Sequence, residues 1–162
     1  MENFDFTSLY SDKDKQVLKV AEDSLDPRID RVHEIIEYAL EAKIKRIGIA
    51  NCTTFNKEAE MLAEELAQAG FEVETVNCKF GRVPFNDLLE GYKGTSCNPV
   101  GQAKYLENKN TELNIMMGLC VGHDILFNSK SKAPVTPLLV KDRKRAHHTL
   151  GHFHDMQKGQ SN

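Results

Sequence analysis

Four cysteines, Cys52, Cys78, Cys97 and Cys120, carry the most distinctive chemistry in this chain, and each stands where an apolar run ends or a helix begins. The runs are Arg46-Ile47-Gly48-Ile49-Ala50-Asn51-Cys52, Val73-Glu74-Thr75-Val76-Asn77-Cys78 and Leu113-Asn114-Ile115-Met116-Met117-Gly118-Leu119-Cys120, while Cys97 opens the helix-start signature Cys97-Asn98-Pro99. Open parallel sheets bind ligands outside the carboxyl ends of their strands, so thiols far apart in sequence can meet on that rim. A helix N-terminus nearby favours the thiolate, the form that ligates a metal or attacks an electrophile.

For a metal the candidates are Cys52, Cys78, Cys97, Cys120 and His123. Four thiolates, or three thiolates and an imidazole, suit zinc, and thiolates suit an iron-sulfur centre. The spacing lacks the C-x-x-C clamp of zinc ribbons, so the expectation leans on the fold. Cys120 and His123 are also the catalytic candidates. They share the segment Gly118-Leu119-Cys120-Val121-Gly122-His123-Asp124, where Gly122 and the helix that follows offer backbone N–H groups to an anion. Lys141, Arg143 and His147, in a basic segment after the last strand, complete the expected anion site, Arg by bidentate hydrogen bonds. Asp124 reads as a first-turn carboxylate. His152 and His154 read as solvated residues near a polar terminus.

The elements that would position these groups alternate. Residues 1–11, with Phe4, Phe6, Leu9 and Tyr10, read as an irregular arm. A short helix over 11–22 and a helix over 28–42 follow, the second with Val32, Ile35, Ile36, Ala39 and Leu40 on one stripe. Strands are expected at 44–50, 71–78, 113–119 and 135–141. Helices are expected at 55–69, capped by Thr53 or Thr54 and ended by Gly70; at 98–109, with Asn98 as cap and Pro99 in the first turn; and at 122–129. The connection over 79–96, rich in Gly and Pro, exceeds ordinary loop length and should be functional or ordered by its own contacts. Strict alternation predicts an α/β fold with right-handed crossovers: three layers, doubly wound, with a parallel four-stranded sheet in the flavodoxin-like, Rossmann-related order 2-1-3-4. Pro137 belongs on an edge strand, because it has no N–H to donate. Residues 156–162 read as a polar tail.

At 162 residues the chain fits one domain, and its length needs no disulfide to hold a core. There is no signal peptide and no apolar run near the ~20 residues of a membrane span, which points to the cytoplasm, where thiols stay reduced. Residues 1–42 hold eleven acidic against five basic side chains, while residues 130–148 hold six basic against one acidic. One short basic stretch in an acidic chain, without an aromatic stacking pattern, argues against nucleic acid and leaves a small anionic ligand as the expected partner.

The segments Ile47-Gly48-Ile49-Ala50-Asn51-Cys52, Thr95-Ser96-Cys97-Asn98-Pro99, Gly118 to Asp124, Ser131-Lys132-Ala133-Pro134-Val135-Thr136 and Val140-Lys141-Asp142-Arg143 resemble, in order, the domain of unknown function 1847 family. Its members are usually described as predicted metal-binding proteins. The resemblance implies that Cys52, Cys78, Cys97, Cys120 and His123 are the site positions, and it implies no reaction. Many relatives carry a cysteine-rich segment ahead of this region, whereas residues 1–10 contain no Cys. At Ala146-His147-His148-Thr149 relatives tend to show a single His followed by Asn-Pro. Three readings stay open: a protein holding zinc or an iron-sulfur centre; a metal-free thiol or redox enzyme acting on an anion held by Lys141 and Arg143; and a ligand-binding domain whose cysteines only line a pocket.

Overall fold

The computed structural model describes residues 5–159, so Phe4 of the expected arm and the last three residues of the expected tail lie outside it. The chain divides into two compact units, Met1–Lys45 and Arg46–Asn162. In the first, a 3-10 turn over Phe6–Leu9 replaces the expected irregular arm, with the Asp5 carboxylate accepting from the Thr7 N–H at 3.0 Å. Helix α1 (Asp12–Asp23) opens with a capping box: Ser11 Oγ accepts from the Asp14 N–H, and the Asp14 carboxylate accepts from the Ser11 N–H. Helix α2 (Arg31–Glu41) begins three residues later than the periodicity suggests, because Asp30 takes the cap and accepts from the N–H groups of Val32 and His33. Its stripe is buried at Ile35, Ile36 and Ala39.

The second unit runs β1 (Arg46–Asn51), α3 (Asn56–Gln68), β2 (Glu72–Asn77), α4 (Phe85–Leu88), α5 (Pro99–Asn108), β3 (Leu113–Met117), α6 (Val121–Lys130), β4 (Val135–Leu139) and α7 (Gly151–Gly159). All strand pairs are parallel and the order is β2-β1-β3-β4. Pro137 lies on the edge strand, as its missing N–H requires. Gly70, with φ +99°, ends α3, and Asn98 caps α5 by accepting from the Gly101 N–H at 2.8 Å. The long connection is ordered by its own contacts: a 3-10 turn at Phe80–Arg82, helix α4, and an antiparallel bridge between Pro84 and Thr95. Helix α7 is an addition to the sequence reading, and it takes up residues assigned there to a polar tail. No helix among the described residues is long and apolar enough to cross a membrane.

The winding reverses between β1 and β3. Helix α3 connects β1 outward to β2, whereas α5 and α6 lead back through β3 to β4; right-handed crossovers running in opposite directions lie on opposite faces of the sheet. Ala50, Val76 and Met116 form one buried cluster with Ala103 and Leu106 of α5 and Phe127 of α6. Close approach of α5 to this face requires glycine at position 48. A Cβ there would stand 2.3 Å from Asn114 Oδ1 and 2.9 Å from the Leu106 methyl groups. Gly48→Ala should therefore destabilise the fold by about 1–3 kcal/mol through overpacking. Gly122→Ala, whose new Cβ meets nothing within 4 Å, should leave the midpoint of urea denaturation unchanged or slightly raised.

Candidate functional site

The strand ends are held in step by hydrogen bonds that continue the ladder beyond the strands. Cys52 N–H donates to Met117 C=O at 3.0 Å, Cys78 N–H to Asn51 C=O at 2.8 Å, and Gly118 N–H to Leu139 C=O at 2.6 Å. Gln102 of α5, fully buried, reinforces the level from below: its Nε2 donates to Asn51 C=O at 3.1 Å and Val76 C=O at 2.8 Å. This brings Cys52 and Cys78 to the rim. Cys97 joins them through Asn98 N–H donating to Cys78 C=O at 2.8 Å, and Cys120 stands at the N-cap of α6.

The four thiols are all free, and they separate into two kinds. Cys78 Sγ and Cys97 Sγ lie 3.7 Å apart. Burial pushes the Cys78 thiol up to about 11, against the lowering effect of the Thr53 N–H and with the neighbouring Cys52 and Cys97 sulfurs adding to the rise. Cys52 Sγ instead meets Lys141 Nζ at 2.6 Å and the Thr54 hydroxyl at 3.5 Å. Burial alone would raise this thiol too. The Lys141 ammonium, together with the Thr54 hydroxyl and N–H, outweighs it and brings Cys52 down to about 6. Cys120 Sγ takes an Arg143 guanidinium N–H at 3.4 Å.

The turn between β1 and α3 was expected to cap a helix, and it does something else. Thr53–Phe55 form a 3-10 turn, and no side chain caps α3. The polar groups of this turn go to sulfur instead: the Thr53 N–H to Cys78, and the Thr54 N–H and hydroxyl to Cys52. Phe55 is buried at the centre of the site. Lys141 Nζ lies 5.8 Å from its ring centroid, and the His147 ring meets it edge-on at 4.7 Å. Gly118, with φ +61°, accommodates that ring, since a Cβ there would lie 2.0 Å from it. The sequence points to Thr54 only as a cap and leaves Phe55 unnoticed, although a Thr-Thr-Phe turn directly after the first Cys-ending strand is a signal.

The remaining candidates are distributed around this centre. His123 is held below its usual range by burial first, then by Lys141 and Lys79, so its imidazole is neutral. Asp124 is more than a first-turn carboxylate: burial pushes it up, Lys141 opposes this, and Oδ1 is buried with no hydrogen-bond partner. Gly122 leaves open space beside the helix N-terminus. His147 braces its own loop, with Nδ1 accepting from the Asp142 N–H at 3.0 Å and its N–H donating to Asp142 C=O at 2.7 Å. His152 and His154 lie exposed on α7.

Among the described residues no three His, Cys, Asp or Glu side chains gather closely enough to hold a metal ion. Cys52 faces Lys141 and Cys120 faces Arg143, while Cys78 and Cys97 face each other as a pair. As placed, the cysteines do not fit a four-ligand zinc or iron-sulfur site.

The pairing of Cys52 with Lys141 has a measurable pH signature. Alkylation of Cys52 should rise with pH through a midpoint near 6, and Lys141→Met should move the midpoint towards or beyond the ~8.5 of an ordinary thiol. Because the folded value lies below the unfolded one, the pair stabilises the fold fully above ~8.5, and this contribution is lost as pH falls through about 6. Mass-spectrometric readout of site-specific alkylation from pH 5 to 10 checks the first, and urea denaturation across the same range checks the second.

Residues 5–138 match the family described as Protein of unknown function (DUF1847). The chain is 45% identical over 126 residues to the uncharacterized protein MJ0455 of Methanocaldococcus jannaschii, a match covering 75% of this chain and 65% of that relative. The chain thus spans about two-thirds of that relative's length. It belongs to the DUF1847 family.

Proposed function

We propose that this DUF1847 protein is a thiolate-dependent protein that binds a small anionic, electrophilic molecule on the carboxyl rim of its sheet and attacks it with Cys52. The observation that carries this reading is the 2.6 Å contact between Lys141 Nζ and Cys52 Sγ. An ammonium at that distance keeps the sulfur in its nucleophilic form at neutral pH without a general base. In the step itself a sulfur lone pair forms the new bond to the electrophilic atom, and the leaving group departs with its bonding pair. Lys141 and Arg143 attract the anion, and Arg143 stands near enough to act electrostatically on Cys52, Cys97 and Cys120 together. His123, which burial pushes down, and Asp124, whose carboxyl burial pushes up, are the groups available to orient a leaving group or exchange a proton with it.

Charge selectivity tests this. Two cations within about 8 Å of the attacked atom contribute about 2 kcal/mol each at an effective dielectric of 20, before screening by salt. Relative to a free thiol, Cys52 should therefore prefer anionic iodoacetate over neutral iodoacetamide by about tenfold or more at low salt. Arg143→Ala should remove much of that preference. A rate ratio equal to that of free cysteine would overturn the proposal.

A second reading is favoured by one distance. The 3.7 Å between Cys78 Sγ and Cys97 Sγ matches the edge, about 3.8 Å, of a tetrahedron with Zn–S bonds of ~2.3 Å. A soft metal, zinc or an iron-sulfur centre, would be held by that pair with Cys52 and Cys120 once Lys141 and Arg143 had turned away, and His123 would stand in reserve. Elemental analysis and a visible spectrum of anaerobically purified protein decide between the two. Roughly stoichiometric zinc, or iron with an iron-sulfur absorption, would support the metal reading. Metal-free protein with full alkylation of Cys52 near pH 7 would support the first.

A further inference from the structure

Cys78 and Cys97 form a pair that the Cys52 chemistry does not use. They are 19 positions apart in sequence, with their sulfurs 3.7 Å apart. The backbone beneath them is already tied. Asn98 N–H donates to Cys78 C=O at 2.8 Å, Lys79 Nζ to Thr95 C=O at 2.7 Å, Ser96 N–H to Val83 C=O at 2.9 Å, and Asn98 Nδ2 to Phe80 C=O at 3.1 Å. The base of the loop is held in this way, and the two sulfurs stand 3.7 Å apart where a disulfide would bring them to ~2.05 Å.

The two thiols differ in access. Cys97 is partly exposed, whereas Cys78 is only 2% exposed, so a reagent in solution meets Cys97 first and Cys78 is reached through it. That is the arrangement of an attacking thiol with a resolving thiol behind it. The loop base carries Lys79, and the Arg143 guanidinium acts on the Cys97 sulfur, so a reagent bearing carboxylates is favoured.

We propose that Cys78 and Cys97 are a redox-active dithiol that reduces carboxylate-bearing low-molecular-weight disulfides. The Cys97 thiol gives its proton to solvent, and its sulfur attacks one sulfur of RSSR. The S–S bond breaks, RS⁻ leaves with the bonding pair and takes up a proton, and a mixed disulfide remains on Cys97. Cys78 then attacks the Cys97 sulfur and expels the second RS⁻, the Cys78 proton passing to that leaving thiolate. Two cysteine thiols are oxidised to one disulfide, RSSR is reduced to two RSH, and an external dithiol reductant returns the pair to its starting state.

The test uses the full chain, kept in chelator so that no metal competes, with oxidised glutathione as probe. In Cys52→Ser the thiol titre should fall by the two thiols of the pair, a peptide cross-linked between Cys78 and Cys97 should appear in the mass maps of that variant and of the wild type, and dithiothreitol should restore the titre. Cys52→Ser should leave the cross-link unchanged, which separates this inference from the reading of Cys52. Cys78→Ser should stop at a mixed disulfide on Cys97; should that variant not fold, the wild-type and Cys52→Ser maps decide alone. An unchanged titre, a cross-link through Cys52 or Cys120, or a mixed disulfide that persists on Cys97 in the wild type would overturn the proposal.

Discussion

The site depends on one constraint: the carboxyl ends of the parallel strands finish at the same level. Parallel pairing sets this, because each strand's hydrogen bonds fix its neighbour's register and a slip of one residue would turn every side chain to the other face. The ladder bonds of Cys52, Cys78 and Gly118 carry the register one residue past the strands, and Gln102 joins two of those ends from inside the core. The thiols are therefore placed by backbone atoms deep in the sheet rather than by the loops that bear some of them.

Within that frame, neighbouring charge decides what each thiol becomes. Burial works against the thiolate at Cys52 and at Cys78 alike, and it is the leading effect on each. The difference is the cation. Lys141 reaches Cys52 and reverses the balance, whereas Cys78 faces another thiol and stays protonated. Lys141 also bears on His123, where it adds to the lowering by burial, and on Asp124, where it opposes the rise that burial causes. One side chain thus acts on the Cys52 thiol, the His123 imidazole and the Asp124 carboxyl, and its position is steadied by Phe55, whose ring occupies the space that Gly118 leaves free.

The fold was largely legible in the sequence because its signals are local. Strand and helix periods, the cap at Asn98, the stop at Gly70 and the edge placement of Pro137 each follow from the conformational preferences of a few adjacent residues. Misreadings arose where a local signal was overridden by partners far along the chain. Thr53 and Thr54 look like helix caps, yet their donors face sulfur atoms at Cys78 and Cys52. The pairing of Lys141 with Cys52, a thiol 89 positions earlier, likewise has no local signal.

By itself the sequence determined that this is a doubly wound α/β protein with four thiols at strand and helix ends, since element type and order depend on patterns a few residues long. Tertiary structure alone decided how those thiols divide: Cys52 with Lys141, Cys120 with Arg143, and Cys78 with Cys97. The physical reason is that a thiol's state is set by charges and burial within a few ångströms, and those neighbours come from the segment after β4, from the turn after β1 and from the loop before α5. Only the closed sheet brings these segments together.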